Sequence, residues 1–299
     1  MLLIPLLAVA SAQAEPEGAL TRPTYSWVHV SDLPGRRPTE DALGRRRVLE
    51  ARLERKEGRA RAPLLRKSAD LLVAASDAVW VAQLRRLDSA WADGVAFELD
   101  TADADALRDE ALRRYESAIG LRPGRSSAQA RLSAGLLRRE RRELEPARAH
   151  LAAVVEGPAP LRVRRKAAVE LGEMEFEAGD VPRALDAYRA AASLAGTDEL
   201  RAYAEYRIGW CEFNLGEYAA ARDNLVRAAR RAHDRALAEE ARRNAIRFAA
   251  LIDLQEALAV VDEVCDDDLC VSAQREHLAE LLDESGRIRA AAEVRSLEP

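Results

Sequence analysis

The residues best able to do chemistry are two cysteines and a histidine near the carboxyl end, in the stretch CDDDLCVSAQREH. Cys265, Cys270 and His277 could supply three zinc ligands, but a tetrahedral site needs a fourth, and the Cys-x4-Cys spacing is at the loose end of the usual range. Two cysteines this close more often form a disulfide when a chain is exported. We therefore take Cys265 and Cys270 as disulfide candidates, with free thiols and metal ligation as the alternatives, and we expect no metal.

No recognisable catalytic set occurs elsewhere in the sequence. The other histidines, His29, His150 and His233, are scattered, and none lies at a metal-ligand spacing from another. There is no phosphate-binding glycine loop, no Gly-x-Ser-x-Gly motif and no His-Glu-x-x-His motif. Cys211 falls within an apolar helical pattern and is predicted to be a lone buried thiol. We therefore expect no enzymatic activity, no catalytic residue and no cofactor.

The composition favours long helices joined by short turns. The chain has 299 residues, of which 48% are hydrophobic and only 5% aromatic, with 15 glycines and 12 prolines. Alanine, leucine, arginine and glutamate dominate, and all four are strong helix formers. The net charge of −5 gives no indication of nucleic-acid binding.

Charge is distributed unevenly along the chain. Residues 44–67 hold ten Arg or Lys against three Glu, whereas residues 251–299 hold thirteen acidic residues against four arginines. The simpler interpretation is that both runs are solvated helix faces. The alternative is that the two ends of the protein contact different partners.

The first fourteen residues, MLLIPLLAVASAQA, resemble a secretory signal peptide. An apolar run from Leu2 to Val9 is followed by Ala12-Gln13-Ala14, which has small residues where signal peptidase requires them. The run is too short to span a membrane. We expect residues 1–14 to be removed by cleavage after Ala14, and the mature protein to be periplasmic and not membrane-spanning.

Two further segments precede the repeats described below. Residues 15–38 contain prolines and glycines that break any helix, and TYSWVHV (24–30) is their only apolar patch. Residues 39–99 are predicted to be a helical region, in which a basic helix begins at the N-cap Thr39 and ends near Gly58. A second helix is expected to start at Pro63.

The central part of the chain repeats with a period of 37 residues. Three glycines predicted to lie within helices share this spacing, as do two glycines at predicted turns and three alanines. These positions are Gly135, Gly172 and Gly209; Gly179 and Gly216; and Ala147, Ala184 and Ala221. Weaker copies lie on either side, at residues 109–123, 254–264 and 284–294. Each copy is predicted to form two helices, so residues 100–299 should form a continuous array of helix pairs.

The two kinds of glycine predict two different roles. Gly216, like Gly179 and Gly286, should serve a turn, where a positive φ is favourable for glycine alone. Gly209 lies inside the first helix of its pair, where glycine costs roughly 1 kcal/mol relative to alanine. We expect its missing side chain to let the second helix cross closely at Ala221, so that improved packing outweighs that cost.

These residues resemble the tetratricopeptide repeat (TPR) family. The family's Leu-Gly pair in the first helix matches Leu171-Gly172 and Ile208-Gly209, and its Gly-x-Tyr element matches Gly216-x-Tyr218. The Ala-x-x-x-Tyr elements that follow, with their later alanines, are Ala184 to Tyr188 with Ala191, and Ala111 to Tyr115 with Ala118 and Pro123. The sequence departs from the family pattern in its period, which is about 34 residues in the family. It also departs in the early tryptophan position, which holds Arg131, Ala168 and Glu205. The stretch IGWCEFNLGEY is similar to exported envelope TPR proteins of gliding and predatory bacteria.

The resemblance implies an all-α fold: a right-handed TPR α-solenoid of about five helix pairs, preceded by one or two long helices. It also implies a scaffold for protein–protein interaction in the bacterial cell envelope, with a role within a motility or envelope-spanning complex. The alternatives are an outer-membrane assembly factor and an accessory domain of an envelope enzyme. The partner would be a protein or peptide segment held in the concave groove, and no nucleic acid is expected.

The helix around residues 203–215 carries two apolar stripes and therefore has to be covered on two sides. Ala204, Ile208, Cys211 and Leu215 should face the partner helix of the same repeat. The second stripe, Tyr203, Tyr206, Trp210 and Phe213, either packs on the adjacent repeat or lines the groove. The residues predicted to line a partner-binding groove are Tyr203, Tyr206, Trp210, Asn214, Glu173, Arg139 and Lys166.

Overall fold

A computed structural model describes residues 42–93 and 100–297, and these residues form α-helices and short turns with no β-strand. The predictions for residues 1–14 and 15–38, and for the N-cap at Thr39, lie outside the described residues. The helices are α1 (Ala42–Glu54), α2 (Ala62–Ala92), α3 (Ala102–Leu121), α4 (Ala128–Glu140), α5 (Leu144–Glu156), α6 (Leu161–Glu177), α7 (Val181–Leu194), α8 (Asp198–Asn214), α9 (Tyr218–Arg231), α10 (Arg235–Ile252), α11 (Leu254–Val264), α12 (Asp268–Glu284) and α13 (Ile288–Ser296).

Local sequence signals define several of the helix starts. Thr197 accepts a hydrogen bond from the backbone N–H of Leu200 at the start of α8, and Asp234 accepts two from the first turn of α10. Asp253 and Asp267 cap α11 and α12 in the same way. A side-chain cap of this kind is worth about 1 kcal/mol because it satisfies a backbone donor that the helix leaves free.

The helices pack in consecutive pairs. Turns of three residues join α4 to α5, α6 to α7, α8 to α9 and α12 to α13, and Asp253 alone joins α10 to α11. Such short turns force the two helices of a pair to run antiparallel. Each helix also packs on its neighbours along the chain, and first helices contact one another across pairs, as α4 does α6 and α10 does both α8 and α12. Alternate helices therefore line up in two layers.

The repeated glycines lie where two helices cross closely, as predicted. A Cβ atom added at Gly209 would lie 2.9 Å from Leu225 Cγ and 3.0 Å from the backbone oxygen of Ala221. An added Cβ at Gly172 would lie 2.6 Å from the ring of Tyr188, and one at Gly135 would lie 2.9 Å from Leu151 Cγ. Real Cβ atoms almost never approach other atoms this closely, so a larger residue at any of the three crossings would force the facing side chain to shift.

The turns between paired helices use the left-handed backbone conformation. Gly179, Gly216 and Gly286 have φ values of 84°, 80° and 75°, which confirms their predicted role. Arg142, 37 residues before Gly179, adopts φ 60° in the corresponding turn. The sequence did not reveal this turn, because arginine carries none of the signal that glycine does. An arginine in this conformation is strained by roughly 1–2 kcal/mol.

Replacing Arg142 with glycine is expected to stabilise the protein, because it removes this strain. The gain should be below about 1 kcal/mol, since glycine also increases the conformational entropy of the unfolded chain. Chemical denaturation of Arg142→Gly should show a higher midpoint than the parent protein. The matched control is Gly179→Ala, which introduces a Cβ into the same turn one repeat later and should lower the midpoint. A lower midpoint for Arg142→Gly would mean that its backbone is not strained.

The amino-terminal helices belong to the same array. Leu53 of α1, together with Leu65 and Leu72 of α2, shares one apolar cluster with Tyr115 of α3 and Leu137 of α4. The helix α2 is therefore the first member of a pair whose second member is α3. A division at residues 99–100, expected from the sequence, falls inside this helix pair and does not separate two cores. Counting from α2, the described residues form six pairs, with α1 packed on the first.

Candidate functional site

The aromatic residues predicted to line a groove are instead buried in the core, so this prediction is wrong. Tyr203 and Tyr206 have no exposed surface and Trp210 is 2% exposed. Every residue from 202 to 212 in α8 is buried. The reason is that α8 contacts both adjacent pairs in addition to the flanking helices α7 and α9: Tyr203 meets α6, and Trp210 meets α10. Leu215, placed by the sequence against the partner helix, is 40% exposed instead.

Trp210 forms part of an aromatic cluster that joins two helix pairs. Its ring meets the ring of Phe248 on α10 edge-on, with centroids 5.2 Å apart, and Phe213 stacks on Phe248 at 4.0 Å. Edge-on and offset-stacked arrangements are the favoured geometries for aromatic rings. Trp210 and Phe213 of the second apolar stripe therefore pack on the adjacent pair, which was the alternative interpretation of the sequence.

Glu173, another predicted groove residue, forms a buried ionic cluster. Its carboxylate accepts hydrogen bonds from Tyr203 Oη at 2.5 Å and from Arg207 Nη2 at 2.8 Å. Arg207 also donates from Nε to Tyr188 Oη at 2.8 Å, and its guanidinium lies over the ring of Phe176 at 4.6 Å. These groups join α6, α7 and α8, and the side chains of Glu173 and Arg207 are only 5% and 4% exposed.

The surroundings of Arg207 and Tyr188 in this cluster raise the pKa of both side chains. Burial opposes the charge of Arg207, but Tyr188 and Glu173 raise its pKa above the ordinary value. Burial and the nearby Glu173 carboxylate raise the pKa of Tyr188 well above its usual range. Arg207 therefore remains charged at neutral pH, and because the cluster is buried, its role is to hold three helices together.

The remaining predicted groove residues occupy two separate places. Arg139 on α4 donates to Glu170 Oε2 at 2.7 Å and to Glu177 Oε1 at 2.6 Å on α6. Lys166 is half-buried one turn before Glu170; burial raises the pKa of Glu170, whereas Arg139 and Lys166 act to lower it. Asn214 donates to the backbone oxygen of Trp210 at the far end of α8. The predicted residues therefore do not converge on one site.

The cysteines have structural roles and do not form a reactive site. Cys265 and Cys270 form a disulfide, with Cα atoms 5.4 Å apart, which links the end of α11 to the start of α12. Cys211 is a free, buried thiol, as predicted, and burial raises its pKa to about 12. A thiol with such a pKa is almost entirely protonated at neutral pH and is a poor nucleophile.

Two kinds of feature are absent from the parts of the chain that the structure describes. In residues 42–93 and 100–297, no group of three His, Cys, Asp or Glu side chains is placed to hold a metal ion. None of the helices in these two ranges has the length and apolar character needed to cross a membrane.

An exposed apolar surface, which the sequence did not predict, lies at the turns of the last three helix pairs. Five large apolar side chains on it are between 40% and 68% exposed. A shallow depression of about 530 Å³ between residues 216–220 and Ile252 forms its centre. Arg287 donates to the backbone oxygen of Ala250, which brings the α12–α13 turn beside the end of α10. We call this surface the apolar edge; its residues are Leu215, Tyr218, Leu251, Ile252 and Ile288.

The apolar edge has polar and mostly acidic surroundings. Glu217, Asp253 and Glu284 are exposed at the turns that carry it. Tyr218 rests against the ring of Phe213 at 5.5 Å, so its orientation is set by the aromatic cluster beneath it. Exposed apolar side chains grouped within a polar rim are typical of surfaces that bind another protein. An acidic rim favours a partner segment that carries lysine or arginine.

The basic run of the sequence forms a second unusual surface at the opposite end of the chain. Around α1 and the start of α2, seven exposed cationic side chains form no ion pair with any residue in the described part of the chain. Elsewhere about half of the described arginines form ion pairs with acidic side chains. The seven are Arg47, Arg52, Arg55, Lys56, Arg59, Arg61 and Lys67.

No family model matches the sequence, and no curated protein is significantly similar to it. The likeness to tetratricopeptide repeats therefore depends on the motif residues and on the geometry described above.

Proposed function

We propose that this protein is an exported TPR scaffold that mediates protein–protein interaction in the bacterial cell envelope. In this proposal the helix pairs form a right-handed α-solenoid. The support is the 37-residue repeat, whose glycines occupy equivalent close crossings and equivalent turns in successive pairs. Stacking of such units produces long surfaces for binding other proteins.

The observation that carries the proposed function is the apolar edge. Tyr218, Ile252 and Ile288 are 43%, 41% and 68% exposed. Contact of this apolar surface with water is unfavourable, so a partner that covers it would gain binding free energy. Its partner would be a protein segment with an apolar side chain that fills the depression beside Ile252. Basic residues on that segment would lie against Glu217 and Asp253. The binding surface thus lies at the helix turns and not along α8.

Site-specific photocrosslinking tests this proposal. A benzoylphenylalanine at Tyr218 is expected to capture a discrete partner in envelope preparations, because its side chain points into the depression. The matched control places the same group at Arg227, which is exposed on the same helix but away from the apolar edge. The substitution Ile252→Arg should abolish the adduct while lowering the denaturation midpoint only modestly, since Ile252 is 41% exposed.

Two outcomes would contradict the proposal. Equal adducts from positions 218 and 227 would indicate nonspecific capture, and an adduct that persists in Ile252→Arg would place the partner elsewhere.

Amino-terminal sequencing of the recovered protein tests export in the same experiment, because cleavage after Ala14 leaves Glu15 as the first residue. A retained Met1 on cytosolic protein would contradict the envelope assignment.

A further inference from the structure

The turns that join α1 to α2, and each helix pair to the next, lie together at one edge of the array. This edge is opposite the apolar edge, because the two edges contain the two ends of the same helices. Contacts tie neighbouring turns together: the short 3-10 helix Gly58–Arg61 packs on α3, and Arg231 at the end of α9 donates to Asp198 at the start of α8 at 3.3 Å. We call this surface the between-pair edge.

The first three turns of the between-pair edge are strongly basic. In residues 55–61, 122–127 and 157–162, seven cationic side chains are exposed, whereas Glu57 is the only acidic residue. None of the seven forms an ion pair with an acidic residue in the described part of the chain. We call these three turns the basic turns; their cations are Arg55, Lys56, Arg59, Arg61, Arg122, Arg125 and Arg162.

The stretches that the structure does not describe join the chain far from the basic turns. Residues 1–41 lead into Ala42, which lies about 18 Å along α1 from the α1–α2 turn. Residues 94–99 begin after Asp93, about 46 Å along α2 from the same turn. The connection between α2 and α3 therefore runs at the other edge of the array.

The last turn of the between-pair edge carries the opposite charge. Asp266, Asp267 and Asp268 are exposed there, and residues 248–274 contain no lysine or arginine. The disulfide between Cys265 and Cys270 joins the two ends of this turn, so the turn loses little conformational freedom when it binds. We call residues 266–268 the acidic turn.

The middle of the between-pair edge balances its own charges. Arg231 pairs with Asp198, and Glu199 accepts hydrogen bonds from the backbone N–H groups of His233 and Asp234. Unbalanced charge of opposite sign therefore lies towards the two ends of one edge. A two-fold axis near the middle of this edge would bring unlike ends together twice, as an isologous interface requires.

We propose that two copies of this chain associate along the between-pair edge, with the basic turns of each copy against the acidic turn of the other. Charge complementarity of this kind selects the partner and its orientation. The interface closes at two copies, because its two halves are equivalent. Both apolar edges stay open in this dimer, since they lie at the opposite ends of the helices. Only this last consequence, a scaffold with two binding surfaces, rests on the proposed function.

Sedimentation velocity of the purified protein tests the proposal. The expected species at about 0.1 M salt has twice the monomer mass, and it should dissociate at about 1 M salt because the screening length falls from about 10 Å to about 3 Å. The mass should not rise beyond two copies as the protein concentration increases.

Charge reversal identifies the contact. Arg59→Glu with Arg61→Glu changes the sign of the α1–α2 turn, and Asp266→Lys with Asp268→Lys changes the sign of the acidic turn. Each variant alone should raise the dimer dissociation constant roughly tenfold or more, because like charges then face each other. An equimolar mixture of the two variants should restore a dimer that contains one copy of each, since every contact is again between opposite charges.

The matched control is Arg247→Glu with Arg289→Glu, at two exposed arginines that are not on the between-pair edge. This variant should dimerise like the parent protein, and circular dichroism should show that all variants are folded.

Four results would overturn the proposal. A parent protein that is monomeric at about 0.1 M salt would leave the basic turns to another occupant, such as an acidic protein, an anionic lipid surface or residues 1–41. A mass that keeps growing with concentration would indicate head-to-tail contacts. Folded variants that dimerise like the parent, or that stay monomeric when mixed, would show that these charges do not meet. An equal loss in the control would mean that net charge, and not this contact, governs association.

Discussion

Replacing Trp210 with alanine is expected to lower the free energy of unfolding by about 3–5 kcal/mol. The side chain is 2% exposed and packs edge-on against Phe248 of the next helix pair, so truncation would leave a cavity between two repeats. Trp210→Phe keeps a ring in this place and should lose roughly half as much. Denaturation followed by fluorescence and circular dichroism measures both changes.

The control for Trp210→Ala is Leu269→Ala, at a side chain that is 83% exposed. This variant should change the free energy of unfolding by less than about 0.5 kcal/mol. Partner capture at position 218 should persist in Trp210→Phe below its unfolding transition, because this variant keeps a ring beside Phe213 and Trp210 is not part of the apolar edge. A small loss of stability together with loss of partner capture would indicate that Trp210 contacts the partner. This result would contradict the burial of Trp210 in the core.

Removing the carboxylate of Glu173 is expected to cost about 3–5 kcal/mol, because Arg207 would keep a buried charge without its partner. Glu173→Leu and Arg207→Leu should each be strongly destabilising. The double variant should be much less destabilised than the sum of the two, since it buries no unpaired charge. A double-mutant cycle should therefore give a coupling free energy above about 2 kcal/mol.

The pair Arg230–Glu263 is the matched control for this cycle. It joins the same residue types across neighbouring second helices at 3.1 Å, but its side chains are 62% and 51% exposed. Exposed pairs contribute about 0–1 kcal/mol, because water screens them and both long side chains lose freedom. Equal coupling in the two cycles would show that burial does not strengthen the Glu173–Arg207 pair.

Several features of the fold were predictable because they depend on residues that are close in the chain. Gly209 and Leu225 are 16 residues apart, and a short turn brings them together, so a glycine repeated every 37 residues is enough to predict a close crossing. Gly216 predicts its turn because no other residue adopts a positive φ at so little cost. The turn at Arg142 has the same left-handed backbone conformation but no glycine, so the sequence did not predict it.

The groove was wrongly predicted because it depends on contacts between repeats. The sequence of α8 shows that Tyr206 and Trp210 form a second apolar stripe, but it does not show what covers them. Packing of α6 against one part of the stripe and of α10 against another buries it. A sequence pattern carries no information about how closely successive first helices approach. The sequence did not predict the apolar edge for a related reason. Tyr218, Ile252 and Ile288 lie at turns 34 and 36 residues apart and come together only when the helix pairs stack.

The sequence by itself thus determined the helical content, the 37-residue repeat, the position of the close crossings and the glycine turns, since each depends on backbone geometry within one helix pair. Only the tertiary structure decided which apolar faces are buried. It placed Trp210 and the Glu173–Arg207 pair in the core and left Tyr218 and Ile252 exposed, because burial depends on how neighbouring pairs stack. That stacking brings together residues that are separated by a whole repeat and share no local pattern.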